Sequence, residues 1–136
     1  MYFCIVFYMI LKSKAIVLRS LKFGDSSLII DMFTELEGRI SFITRIPKTA
    51  KGKIKKQYFQ PLTLLDLEFD YRPRTSLQRI KEVRILRPYG SIPFDPVKSA
   101  ILLFLSEFLY YVTRGEQQNA HLYNYVCASM EWLDEA

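Results

Sequence analysis

The first half of the chain alternates between apolar and polar residues with the period of two that is typical of β-strands. Turn residues separate five segments that we interpret as strands: KAIVLRSLKFG, LIIDMFT, RISFITRI, PLTLLDLEFDY and SLQRIKEVRIL. The first is dominated by β-branched and aliphatic residues, and RISFITRI alternates most cleanly. The fifth segment also fits a helical period, since Leu77, Ile80 and Val83 recur every three residues. We interpret it as a strand, because five strands with this spacing suit a small closed barrel.

The same alternation assigns side chains to the two faces of each strand. One face of the second strand is apolar, with Leu28, Ile30 and Met32. The third strand separates Ile40, Phe42, Thr44 and Ile46 from Arg39, Ser41, Ile43 and Arg45, and the fourth separates Leu65, Leu67, Phe69 and Tyr71 from Asp66, Glu68 and Asp70. We therefore expect Arg39 and Arg45 to lie on the same face.

After residue 87 the period changes to that of helices. The segment FDPVKSAILLFLSEFLYYVTRG has Asp95 as a candidate N-cap, Pro96 at the first helical position and Gly115 as a stop. Its apolar residues cover most of its circumference, so we expect this helix to be buried on most sides. A second helix follows, with Asn119 as its cap and an apolar stripe of Leu122, Val126, Met130 and Leu133.

These patterns predict an α+β chain with a barrel at residues 9–87 and the start of a helical domain at residues 88–136. Residues 1–8, MYFCIVFY, form an apolar extension that we place outside the barrel domain. The apolar run at this terminus is too short to span a bilayer, and so is that of the first helix. We expect no membrane association.

Charge is distributed unevenly along the chain. The formal net charge of +5 divides into 0 for residues 1–38, +9 for residues 39–87 and −4 for residues 88–136. The densest part is IPKTAKGKIKKQYFQP, residues 46–61, which we name the lysine segment. It has five lysines among nine residues and no acidic residue. A basic segment of this kind, interleaved with aromatic residues, indicates a polyanionic partner, and nucleic acid is the foremost candidate.

Ten basic residues in and around this segment are the candidate phosphate contacts, because lysine binds phosphate as a point charge and arginine binds it bidentately. They are Arg39, Arg45, Lys48, Lys51, Lys53, Lys55, Lys56, Arg72, Arg74 and Arg79. The nearby aromatic residues Tyr58, Phe59 and Tyr71 would suit base stacking. We nevertheless expect Phe59 and Tyr71 to fill the barrel core.

Catalytic motifs are weak in this sequence. Asp66, Glu68 and Asp70 would share one face of a strand and leave open a metal nuclease, although a solvated strand face explains them better. The lone histidine, His121, is expected at the surface, and AKGKIKK lacks the spacing of a phosphate-binding loop. Cys4 and Cys127 are expected to be free thiols in the reducing cytoplasm. The sequence therefore predicts a binding protein with no cofactor, and not an enzyme.

A family resemblance extends over about residues 9–136. Its features are the aliphatic strand at residues 15–18, the turn at residues 25–27, the strand LIIDMFT, the hairpin at Gly38 and the basic stretch at residues 45–56. This succession resembles the amino-terminal part of RecO, the bacterial recombination mediator. FQPLTLLDLEFDYR and the helices from RGEQQNAHLY onwards are similar to its later parts.

The resemblance implies an OB-fold barrel followed by an α-helical domain. It also implies binding of single- and double-stranded DNA, annealing of complementary strands and assistance to RecA loading on SSB-coated DNA, with RecR and SSB as partners. Ile46 stands where the family often has glycine, so we expect the lysine segment to meet DNA with a geometry that differs from the family's. Family members are longer, and some bind zinc in the later helical part, so we expect this chain to be a piece of a longer protein.

Two further functions remain open from the sequence. An exposed apolar face on the first helix, formed by Phe104, Phe108, Tyr110 and Tyr111, would make the chain a protein-interaction module. An OB barrel would also bind RNA, because nothing in the sequence reads the 2′-hydroxyl. The oligomeric state is not indicated by any of these patterns.

Overall fold

The computed structural model describes residues 9–46 and 56–136, which form five strands followed by two helices. The strands are β1 (Met9–Phe23), β2 (Ser27–Thr34), β3 (Gly38–Arg45), β4 (Leu64–Tyr71) and β5 (Leu77–Ile85). The helices are α1 (Pro96–Val112) and α2 (Ala120–Glu135), and short 3₁₀ helices lie at Lys56–Phe59 and Ile92–Phe94. Residues 1–8 and most of the lysine segment lie outside the described residues.

The five strands close into a barrel in the order β1-β2-β3-β5-β4. Every neighbouring pair is antiparallel except β3 and β5, which close the barrel in parallel. β1 is 15 residues long, so its first half pairs with β4 and its second half with β2, and a register shift between Val17 and Arg19 lies on the β2 side. The predicted OB barrel is confirmed, and the ambiguous fifth segment is a strand.

The barrel interior holds the apolar face that the alternation predicted. Leu28, Ile30 and Met32 are buried there, together with Leu65, Leu67 and Phe69. The rings of Phe42 and Phe69 meet edge to face at 5.0 Å, a favourable aromatic geometry. Phe59 is buried and Tyr71 packs against Phe69, so both belong to the core as expected.

A second core lies between the outside of the barrel and the helices. Ile16, Leu18 and Phe33 of the barrel contribute to it, and α2 contributes Tyr123, Val126, Met130 and Leu133. Leu122 packs against its edge. The stripe predicted for α2 is therefore confirmed, and the two helices pack on the barrel.

The helix ends follow the predicted capping chemistry. The Asp95 carboxylate accepts hydrogen bonds from the backbone N–H groups of Val97 and Lys98, and Asn119 accepts one from Leu122. These acceptors satisfy N–H groups that have no partner within the first turn of a helix. Gly115 lies just beyond α1 with a positive φ of 75°.

The expectation that α1 is buried on most sides is wrong. Leu102 and Ser106 are its buried residues, whereas Phe104 is 68% exposed and Phe108 is 53% exposed. A helix packed on one side of a barrel buries a single stripe, and apolar content alone does not specify what covers the opposite face. No helix in residues 9–46 and 56–136 is long and apolar enough to cross a bilayer.

The segment that joins barrel to helices is held by one carboxylate of α2. Asp134 accepts hydrogen bonds from the backbone N–H groups of Gly90, Ser91 and Ile92 at 2.8–3.0 Å. Burial acts to raise the pKa of Asp134, but these bonds outweigh it and lower the pKa to about 2. The ionised form therefore stabilises the folded chain.

Replacing Asp134 with asparagine is expected to destabilise the fold by about 1–2 kcal/mol at neutral pH, because charged hydrogen-bond acceptors are lost. A lowered pKa gives stability that is complete above the ordinary value of 3.8 and declines as the pH falls towards 2. Urea unfolding at several pH values would measure this, and the variant should lack that part of the acid sensitivity. An unchanged pH dependence in the variant would contradict the assignment.

Candidate nucleic-acid interface

The ten predicted phosphate contacts are distributed over four parts of the fold. Lys48, Lys51, Lys53 and Lys55 belong to residues 47–55, outside the described residues. The remaining six occupy three described places: Arg39 and Arg45 on β3, Lys56 at the start of a 3₁₀ helix, and Arg72, Arg74 and Arg79 in or after the β4–β5 connection.

Pairing of β3 with β5 brings two of these places, β3 and the β4–β5 connection, into one line. Arg79 is the register partner of Ile43, so Arg45 lies two positions further along the same outer face, about 7 Å away along the strand. Both arginines are exposed. The β4–β5 connection lies at the other end, because Leu77 pairs with Ser41. We use the name basic stripe for Arg45, Arg72, Arg74 and Arg79.

Both ends of the lysine segment are fixed to the β1–β2 end of the barrel. The Ile46 N–H donates to the Ser26 carbonyl at 2.7 Å. On the return side, the Ser20 hydroxyl donates to the Phe59 carbonyl at 2.7 Å, and the Phe59 ring is buried in the barrel. The two described residues that flank the lysines, Ile46 and Phe59, are therefore both held at this end of the barrel.

The β4–β5 connection is ordered by the buried side chain of Gln78. Its Oε1 accepts from the Arg72 N–H at 2.8 Å, and its Nε2 donates to the carbonyls of Arg72 and Thr75 at 2.9 Å each. A satisfied buried amide holds a backbone in one conformation. Arg72 and Arg74 thus project from a fixed turn, while Asp70 lies opposite Arg79 on β4.

Arg39 occupies a different environment from the basic stripe. It lies on the outer face of β3 as predicted, but its side chain is only 12% exposed because α1 covers it. Its Nη1 donates to the Tyr110 carbonyl at 2.6 Å and to the Thr113 hydroxyl at 3.2 Å, and its Nη2 lies 4.0 Å from Asp31. These contacts occupy the guanidinium, so we leave Arg39 out of the proposed DNA surface.

Around Tyr110 the fold assembles a cluster that the sequence did not predict. The guanidinium carbons of Arg39 and Arg19 lie 4.4 and 4.8 Å from its ring centroid, and that of Arg114 lies at 5.9 Å. Distances of this size are typical of cation–π contacts. The arginines come from β1, β3 and the α1–α2 connection, so no local spacing in the sequence signals the cluster.

The carboxylates of β4 lie on the outer face, as the alternation predicted. Asp66 accepts two hydrogen bonds from the Arg84 guanidinium, at 2.9 and 3.1 Å, and is thereby occupied by an ion pair. Residues 9–46 and 56–136 contain no group of three or more histidine, cysteine or acidic side chains placed to hold a metal ion. His121 is exposed on α2, as expected, and Cys127 is a free thiol.

Comparison with known proteins matches both halves of the described fold. The family model of the recombination protein O N terminal matches residues 9–89, and that of the recombination protein O C terminal matches residues 93–136. The first of these alone spans more than half of the chain.

Several relatives are named DNA repair protein RecO. That of Bacteroides fragilis is 51% identical over 126 residues, that of Phocaeicola vulgatus 43% over 127, and that of Flavobacterium psychrophilum 37% over 125. These matches cover 91–93% of this chain but 52–53% of the relatives, so the chain spans about half the length of the curated relatives it matches. With both family models matched in order along one chain, this protein belongs to the RecO family of bacterial DNA repair and recombination proteins.

Proposed function

We propose that this chain is a DNA-binding part of a recombinational repair protein and that it acts by binding, without catalysis. The observation that supports this most is the register of β3 and β5, which aligns Arg79 and Arg45 with the start of the lysine segment. A strand of DNA laid along this line would meet cationic side chains over the whole length of the barrel. Phosphate contacts of this kind are independent of sequence.

Single- and double-stranded DNA are both within the reach of such a surface. Lysines and arginines neutralise phosphates on either form. Because Phe59 is buried and the half-buried Tyr71 packs against the core, these two rings offer little stacking that would distinguish the two forms. The proposed phosphate contacts are Arg45, Lys48, Lys51, Lys53, Lys55, Lys56, Arg72, Arg74 and Arg79.

The more detailed activity comes from family membership. We propose that the longer protein anneals complementary strands and assists RecA loading on SSB-coated DNA in the cytoplasm, with RecR and SSB as protein partners. A surface that holds two strands by their phosphates and leaves the bases accessible suits annealing. The exposed apolar face of α1, with Phe104 and Phe108 stacked at 6.3 Å, favours a protein contact in addition.

Fluorescence anisotropy with labelled single-stranded DNA at several salt concentrations tests the proposal. If five to nine phosphates are neutralised, a plot of log affinity against log salt concentration should have a slope of about −3.5 to −6.3. Unlabelled DNA and RNA of the same sequence, added as competitors, would identify the preferred polymer. A slope near zero, or no binding at low salt, would contradict the proposal.

A further inference from the structure

We propose that the groove between β1 and α1 is a second single-stranded DNA site, which receives the strand after it leaves the lysine segment. This inference rests on the proposed function and adds a stacking site to it. The groove encloses about 470 Å³ and is lined in part by Leu18, Arg19, Ser20, Pro61, Tyr110 and Tyr111. It lies beside the Tyr110 cluster, and its described lining includes no residue of the basic stripe.

The first reason is charge. Arg19 and Arg114 are exposed and make no ion pair with any acidic residue in the described ranges, whereas Arg39 is occupied by Asp31 and α1. Arg19 and Glu107 line the groove, and the Arg114 guanidinium lies 5.9 Å from the centroid of the Tyr110 ring, which also lines it, so two guanidinium groups accompany the one carboxylate of the described lining. Like charges held close together repel each other, and a bound phosphate would relieve that repulsion.

The second reason is an exposed aromatic ring at the same place. Tyr111 is 55% exposed, its ring lies 5.4 Å from the Arg114 guanidinium, and its edge-to-face contact with Tyr110 at 5.2 Å fixes its orientation. Tyr111 therefore contributes little to the core. A solvent-facing ring beside an arginine offers a base both stacking and cationic contacts.

The third reason is continuity with the lysine segment. Ser20, which lines the groove, donates its hydroxyl hydrogen bond to Phe59, and Pro61 of the returning chain lines the groove as well. The lysine segment thus returns to the barrel at the groove entrance. A polymer with regularly spaced phosphates can occupy both places at once, which favours DNA over an acidic peptide as the occupant.

Oligonucleotide length separates the groove from the basic stripe. An OB barrel holds roughly 4–16 nucleotides, so we would measure anisotropy with oligo(dT) of about 6 to about 24 nucleotides. Tyr111→Ala is expected to weaken binding about tenfold for the long strands only, and Tyr111→Phe should bind like the wild type. Arg19→Gln with Arg114→Gln should act in the same way and also make the salt slope of long strands less steep.

Matched controls remove equal groups elsewhere. Tyr125→Ala deletes a tyrosine that is 71% exposed on α2, and Lys12→Gln with Lys14→Gln removes the same charge from β1 outside the groove. Each of these two control variants should have a higher affinity for long strands than the corresponding groove variant.

Photocrosslinking with 5-iodouracil-substituted strands gives an independent readout, since Tyr111 should be crosslinked only by the long strands. Wild-type affinity for the long strands after Tyr111→Ala, or equal losses at every length, would overturn the groove site while leaving DNA binding intact. Absence of wild-type binding at all lengths would instead remove the proposed function and this inference with it. Competition by an acidic peptide alone, without effect on long DNA, would assign the groove to a protein partner.

Discussion

Replacing Lys53, Lys55 and Lys56 together with glutamate is expected to weaken single-stranded DNA binding roughly a hundredfold or more at moderate salt. Each replacement changes the charge by two, so the formal net charge falls from +5 to −1. Three lost phosphate contacts should also reduce the steepness of the salt dependence by about 2, at about 0.7 per contact for single strands. Fluorescence anisotropy across a salt titration measures both quantities.

The control for this experiment separates local contacts from total charge. Glutamine at the same three lysines leaves a net charge of +2, and so does glutamine at Lys12, Lys14 and Lys81. Only the first of these two variants should lose much affinity if the lysine segment touches phosphate. Equal losses in the two glutamine variants would mean that the lysines act through the overall field alone, which would contradict the proposed contact surface.

Substitution of Gly38 by alanine is expected to lower the free energy of unfolding by about 3 kcal/mol or more. Gly38 begins β3 with a φ of +75°, which disfavours any residue with a Cβ. An added Cβ would also lie 2.5 Å from two backbone atoms, the carbonyl carbon of Gln117 and the carbonyl oxygen of Glu116. Backbone atoms cannot move aside as the end of a side chain can.

Gly24 provides the matched control, because it has a φ of +66° and nothing within 4 Å of an added Cβ. Gly24→Ala should therefore cost only the left-handed backbone penalty, about 1–2 kcal/mol. The difference between the two variants in urea unfolding measures how tightly the β2–β3 hairpin docks against the α1–α2 connection. Equal destabilisation would show that this docking is loose.

The strands and their interior faces were predictable because they depend on local chemistry. A period of two puts Leu65, Leu67 and Phe69 on one face wherever a strand forms. That face must be buried, because exposing three apolar side chains to water is unfavourable. Helix caps such as Asp95 and Asn119 are equally local, since each bonds N–H groups two or three residues away. Such features depend only on residues that are close together in the sequence.

Contacts between residues that are distant in sequence could not be predicted from the local pattern. The alternation assigned Arg39 to the correct face of β3, but the Tyr110 carbonyl that it bonds lies 71 residues later. The same limit applies to α1, whose apolar circumference predicted burial on most sides although the barrel covers one stripe. For the proposed DNA surface, the sequence supplied the basic residues, while the alignment of Arg45 with Arg79 depends on the parallel pairing of β3 and β5 that closes the barrel.

The core shared by Ile16, Leu18 and Phe33 with Tyr123, Val126 and Met130 has a consequence for how the molecule opens. Neither the barrel nor the helix pair can separate without exposing apolar surface on both, so the two parts form one cooperative unit even though a different family model matches each. Amide hydrogens in the middle of β1 and of α2 would then exchange with solvent through the same opening event. The strands of the proposed DNA surface and the helix that presents an apolar face are thus linked by a common free energy of opening.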